Sequence, residues 1–146
     1  MLGDDGVGKT SLISTLVWDS FTEDVPAVLE VVTIPFEMAL NRPLQIIDTP
    51  AAYASDGGTV VDAIRHANVI VLVYAADQPR SFERLSTYWL PTIASSAVGP
   101  APPPVLLVCS KSDLADADPD SGARGMPALV AKTRGLVDAH RFVTQV

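Results

Sequence analysis

The chain of 146 residues holds one cysteine, Cys109. No disulfide framework can form within it, which fits a reducing compartment. Runs of Lys or Arg are missing too, and the formal net charge is −7. That balance argues against a broad nucleic-acid or anionic-membrane surface. A phosphate ligand is still allowed, because a few backbone N–H groups can hold one locally. Long hydrophobic runs are also absent. The longest, Val69 to Ala76, falls far short of the ~20 residues that a membrane-spanning helix needs. The opening residues carry no signal-peptide pattern, and no internal repeat stands out. What is present is an apolar fraction of 48%. It supports a packed core and argues against disorder, on a length that suits one domain, residues 1–146.

The order of elements follows from periodicity and breakers. Ser11 to Trp18 has apolar residues at Leu12, Ile13, Leu16 and Val17, the spacing of a helix. Phe21 to Pro26 reads as loop. Glu30 to Ala39 and Leu44 to Asp48 read as strands joined through the turn Asn41-Arg42-Pro43. Asp62 to His66 predicts a short helix. Asn68 to Ala76 is a continuous apolar run, as in a strand covered on both faces. Ser81 to Ala94 predicts an amphipathic helix with Ser81 as N-cap and Pro91 interrupting its far end. Val98 to Pro104 is a stiff proline-rich connector. Val105 to Cys109 predicts a strand, with Cys109 a buried thiol in it. A loop over Ala115 to Met126, a helix over Ala128 to His140 and a strand over Arg141 to Val146 complete the chain. Strands alternating with helices imply a parallel, doubly wound α/β sheet.

Three motifs carry chemistry. From Gly3 to Thr10 the chain reads G-x-x-x-x-G-K-T, the P-loop spacing. Gly6 and Gly8 let successive backbone N–H groups turn toward a phosphate, Lys9 adds a point charge, and the Thr10 hydroxyl can ligate Mg²⁺. Asp48-Thr49-Pro50-Ala51 ends a strand. Its carboxylate can hold a metal through water, and on its own it reads equally well as an ordinary strand-end aspartate. Ser110-Lys111-Ser112-Asp113 ends another strand. A carboxylate there can accept from both N1–H and the N2 amino group of guanine, a pair that adenine does not offer. Lys-x-Asp alone is a weak signal. The three in this order, at carboxyl ends of parallel strands, form a strong set, because ligands bind along that edge.

The set resembles the small GTPases of the Ras superfamily and, within them, the N-terminal GTPase domain of the mitochondrial Rho GTPase (Miro) family. Gly8-Lys-Thr-Ser-Leu-Ile, Val25-Pro26, Val32-Thr33-Ile34-Pro35, Ala67 to Ala75, Trp89-Leu-Pro and Lys111-Ser-Asp-Leu carry that likeness over nearly the whole chain. It implies a P-loop NTPase fold of small-GTPase type, with GTP or GDP and Mg²⁺ as ligands and protein effectors and regulators as partners. It also implies a place on the cytoplasmic face, at the mitochondrial outer membrane if the chain is part of a full-length protein of that family. By the same resemblance Gly6, Val7, Gly8, Lys9, Thr10 and Ser11 cradle the phosphates. Thr10 and Thr33 bind Mg²⁺ and Asp48 holds it through water. Lys111, Asp113 and Leu114 frame the base. Phe21 stands where the family sets an aromatic against guanine, with simple core packing as its other reading.

Departures from the family pattern are specific. Ala51 and Ala52 replace the Gly-Gln of the usual strand-end motif. Alanine resists the positive φ that glycine accepts, and Ala52 cannot orient water. Asp5 stands beside the expected γ-phosphate, where its carboxylate should repel that group and crowd an arginine finger. Ser110 replaces an asparagine whose amide braces the base loop. Only Met1 and Leu2 precede the P-loop, and the chain stops at Val146, before a Ser-Ala-Lys-type loop. The expectation is a partial G domain lacking its first strand. A slow GTPase switch is the first reading and a non-catalytic interaction module the second. An adenine-specific P-loop kinase or ATPase is the third, and Asp113 speaks against it.

Overall fold

The computed structural model describes residues 1–22, 24–26, 29, 31–34, 43–49, 57–99, 101–114, 126–139 and 143–145. A two-residue strand, β1 (Leu2–Gly3), leads through the glycine-rich loop into α1 (Lys9–Trp18). A short antiparallel pair follows, β2 (Val32–Ile34) with β3 (Leu44–Ile46), in the register Thr33 to Gln45. Then come α2 (Gly57–His66) and β4 (Ile70–Ala75). The next helix runs as α3 (Pro79–Arg84), a π-helical turn (Leu85–Trp89) and α4 (Leu90–Ser96). β5 (Val105–Ser110), a 3₁₀ turn (Ser112–Leu114), α5 (Met126–Ala139) and β6 (Val143–Gln145) close the order.

The main sheet is parallel, in the order β1-β4-β5-β6. β4 and β5 are its apolar centre because helices cover both faces. On one face Ile70, Leu72 and Tyr74 pack with Val60 and Ile64 of α2, Leu85 and Trp89 of the π turn, and Leu90 and Ile93 of α4. On the other face Val73 and Ala75 meet Val7, with Leu12 of α1 against them. The strand expected to be missing is therefore present in two residues, with Leu2 opposite Leu72 and Gly3 opposite Val73. Beside it, Thr49 Oγ1 donates to the Met1 carbonyl. That contact brings the strand-end aspartate Asp48 alongside the glycine loop.

Several sequence expectations shift. Pro91 does not interrupt the helix, which continues to Ser96. Leu90 N–H instead reaches back five residues to the Leu85 carbonyl. A proline ring clashes with the carbonyl four residues earlier, and the wider turn just before Pro91 gives that carbonyl room. Ser81 is not the N-cap, since the helix opens at Pro79. Its hydroxyl accepts from Ala75 N–H (3.0 Å) and donates to the Gln78 carbonyl (2.6 Å), tying β4 to the helix start. α2 begins five residues earlier than expected, at Gly57. Cys109 is half-buried, not buried, and desolvation pushes its thiol pKa up.

Candidate nucleotide-phosphate site

The glycine loop hangs from β1 at Gly3, whose φ is +144°. A Cβ there would sit 2.3 Å from the Val73 carbonyl oxygen, so only glycine lets the two strands meet at this point. Gly8, at φ 83°, opens α1 in the left-handed region. No acidic residue lies in the first turn of α1 and no side chain caps it. The helix therefore presents unneutralised N–H groups and the positive end of its dipole. Val7 is fully buried, an anchor in the core.

Lys9 folds back across the loop, and Nζ donates to the Gly3 carbonyl (3.1 Å) and the Asp4 carbonyl (2.7 Å). The residue is 7% exposed. Burial pushes its pKa below the usual lysine value, against the opposing pull of Asp48, Asp5 and Asp4. Two of the three ammonium protons are committed, and the third has no acceptor among the described residues. A buried ammonium with a spare donor at a helix N-terminus is a place for an anion.

Beside it, Thr10 Oγ1 donates to Asp48 Oδ2 at 2.7 Å, and Leu29 N–H donates to the same oxygen at 3.2 Å. Asp48 is 6% exposed, and its other oxygen, Oδ1, has no hydrogen-bond partner among the described residues. A buried carboxylate oxygen left unpaired is costly. A hard cation taking oxygen ligands removes that cost, and a hydroxyl next to a carboxylate suits Mg²⁺. The residues present fit the metal.

A cleft of about 260 Å³ lies over these groups. Gly6, Gly8, Lys9, Thr10 and Ser11 line it from the loop and helix, and Val25 and Pro26 from the segment after α1. Asp5, Thr49 and Lys111 complete it. Asp5 Oδ1 accepts from Gly6 N–H at 3.0 Å, so one loop donor already faces a carboxylate. Lys111 takes a left-handed backbone at φ 53°, uncommon for a side chain of its size. Its Nζ lies 3.0 Å from Asp77 Oδ2.

The structure thus gathers Gly6, Gly8, Lys9, Thr10, Ser11 and Lys111 at one cleft, with Val7 and Asp48 buried against it. Four other predicted residues do not line it. Thr33 is exposed on β2, and Phe21 is 70% exposed beyond α1, so the core-packing reading of Phe21 is withdrawn. Asp113 and Leu114 are exposed in the 3₁₀ turn. Ala51 and Ala52 lie outside the described residues. Ser110 corrects an expectation. It lacks the asparagine amide, yet its hydroxyl lies 2.6 Å from the Val7 carbonyl and 3.1 Å from the Tyr74 carbonyl. It braces the glycine loop from β5. The sequence marked Val25 and Pro26 as part of the family likeness but not as walls of the site, and it gave no notice of Asp77 and Gln78. Gln78 Nε2 donates to the Gly6 carbonyl at 3.4 Å. The only sequence signal was their position just after a buried parallel strand.

A parallel sheet whose first strand feeds a glycine loop and helix, with Asp48 brought against Thr10 from just past the separate β2-β3 pair, defines a phosphate-binding α/β domain. The sequence matches the Ras family over residues 1–139, and the chain belongs to that family. It is 38% identical over 115 residues to Mitochondrial Rho GTPase 2 of Arabidopsis thaliana, across 78% of this chain and 17% of that protein. Identity to Mitochondrial Rho GTPase 1 of Cryptococcus neoformans is 40% over 115 residues, across 78% and 16%. For Mitochondrial Rho GTPase 1 of Mycosarcoma maydis it is 37% over 124 residues, across 84% and 16%. The chain is a Miro-like small GTPase domain and spans about a sixth of the length of these relatives.

Proposed function

We propose that this domain binds GTP and GDP with Mg²⁺ and acts as a slowly hydrolysing switch in a protein that works at mitochondria. The observation that carries the reading is the orphaned Asp48 Oδ1 beside Thr10, next to a buried Lys9 at a helix N-terminus. In this reading the loop N–H groups and Lys9 hold the phosphates, while Thr10 and Asp48 hold the metal. Mg²⁺ supplies neutralising charge at the β- and γ-phosphates when bound. Lys111 and Asp113 frame the base from the β5 end, and Asp113 selects guanine. Thr33 and Phe21 join the site only by a rearrangement of their segments, which is what a switch requires. The mitochondrial setting is supported by the names of the relatives.

A second reading, a domain that keeps the fold without turnover, is favoured by Asp5 on Gly6 N–H and by Ala52 at the place of the water-orienting residue. Competition separates these readings from an ATP site. GDP and GTP should displace a fluorescent guanine nucleotide while ATP should not, and Asp113→Asn should move preference toward xanthine nucleotides. Equal displacement by ATP, or unchanged guanine preference in Asp113→Asn, would contradict the base assignment.

A further inference from the structure

Trp89 is 3% exposed, at the end of the π turn. Its indole N–H is a donor only, and a buried one needs an acceptor. It finds one 85 positions away in sequence, donating to Asp4 Oδ1 at 2.8 Å. Arg84 Nε lies 3.4 Å from the same oxygen. The Arg84 guanidinium stands 4.8 Å from the Tyr88 ring centroid, and Tyr88 meets Trp89 edge-on at 5.0 Å.

The π turn explains why two residues five apart reach one atom. At 3.6 residues per turn, positions i and i+5 diverge by about 140° around a helix. A turn closed by i-to-i+5 hydrogen bonds, as from Leu90 N–H to the Leu85 carbonyl, brings such positions close to one face. Asp4 does not line the cleft. It sits between Gly3 and the loop, and its own carbonyl accepts from Lys9 Nζ at 2.7 Å. Its carboxylate is fixed on the helix side and its carbonyl on the lysine side. Turning the Asp4 peptide would break both.

We propose that the π-helical turn is a clamp on the phosphate loop, in which Trp89, aided by Arg84, holds Asp4 and thereby sets the position of Lys9 and the rate at which bound nucleotide leaves. Trp89 is a positioning residue, acting through Asp4. The proposal rests on the reading of the cleft as a nucleotide site. It adds a helix outside the cleft as the element that tunes retention.

The test uses Trp89→Phe, Asp4→Asn and Asp4→Leu. Phenylalanine keeps most of the packing and loses the N–H. Asparagine keeps an oxygen that accepts from the indole, and leucine keeps only bulk. The loss of one hydrogen bond to a charged group predicts release of fluorescent GDP about tenfold faster in Trp89→Phe, with the association rate unchanged. Asp4→Leu should match it, Asp4→Asn should stay near the wild-type rate, and Trp89→Phe with Asp4→Leu should be no faster than either alone. Wild-type release from Trp89→Phe, multiplicative effects in the double variant, or Asp4→Asn releasing as fast as Asp4→Leu would overturn the clamp. Should Trp89→Phe fail to fold, the two Asp4 variants still carry the comparison. Hydrogen exchange of the backbone from Leu2 to Thr10 in nucleotide-free protein provides an independent reading. Faster exchange in Trp89→Phe supports the clamp and equal exchange overturns it, even if the wild-type protein binds no nucleotide and the functional reading falls.

Discussion

Tyr74 shows how single side chains register their burial. Its hydroxyl shares a 2.9 Å hydrogen bond with Thr133 Oγ1 beneath α5. Its pKa is pushed up from 10.0 to about 12, mainly by desolvation. Raised folded pKa means that the unfolded chain loses this proton first. The stabilisation is complete below the unfolded value near 10 and is lost as pH rises toward about 12. Alkaline unfolding of the wild type should therefore be steeper in that window than unfolding of Tyr74→Phe, as followed by circular dichroism against pH. Parallel curves would mean that the Tyr74 hydroxyl is not held in its neutral form. Lys9 presents the opposite case, a charge kept in a buried place because the loop carbonyls receive it. The P-loop was legible at this scale because its glycines and its Lys-Thr pair are contiguous, and each needs only its local backbone. Asp4 was not, because nothing near it in sequence says that its partner is Trp89.

Among elements, the carboxyl end of β5 has the most varied task. Ser110 ends the strand and links it through one hydroxyl to the Val7 carbonyl of the glycine loop and the Tyr74 carbonyl of β4. Ser110→Ala leaves those buried carbonyls without that donor and should lower stability by about 1–2 kcal/mol. Urea denaturation of the variant measures it, and an unchanged midpoint with an unchanged slope would show that the brace carries no weight. Strands β4 and β5 were readable as apolar runs because both of their faces are covered. The start of α2 was not, because Gly57 and Gly58 are poor helix formers and tertiary packing of Val60 and Ile64 overrides them. α5 begins at Met126, two residues before the expected start. Pro127 reads as a breaker in a sequence, but it is well placed in a first helical turn. The π turn was hidden behind Pro91, since a proline announces a disturbance without saying whether the helix stops or widens.

For the whole molecule, the site is an edge property. The glycine loop after β1 and Lys111 after β5 meet at the carboxyl ends of the parallel sheet, as the order of motifs implied, whereas Asp48 comes in two residues past β3, from the separate antiparallel pair. That order did not settle where Thr33, Phe21 and Asp113 sit, and all three are exposed outside the cleft. Turnover is also a property of the assembled site. In the proposed reading Lys9 and Thr10 would address the charge of the phosphates, while Ala52 would offer no group to orient water and Asp5 would add a like charge to the cleft. Single-turnover phosphate release should be no faster than ~10⁻⁴ s⁻¹ without a partner protein, the order seen in Ras, which has its glutamine. A partner-free rate of ~1 s⁻¹ would show a catalytic group that this account lacks. The central claim is that Lys9, Thr10 and Asp48 form one site for a nucleotide phosphate and Mg²⁺. Calorimetric titration of GDP into the protein, with Mg²⁺ and then with a chelator, tests it most directly when Lys9→Ala is run alongside. Binding should be saturable with Mg²⁺, clearly weaker with the chelator and absent in Lys9→Ala. Binding that is equal in all three would contradict the claim.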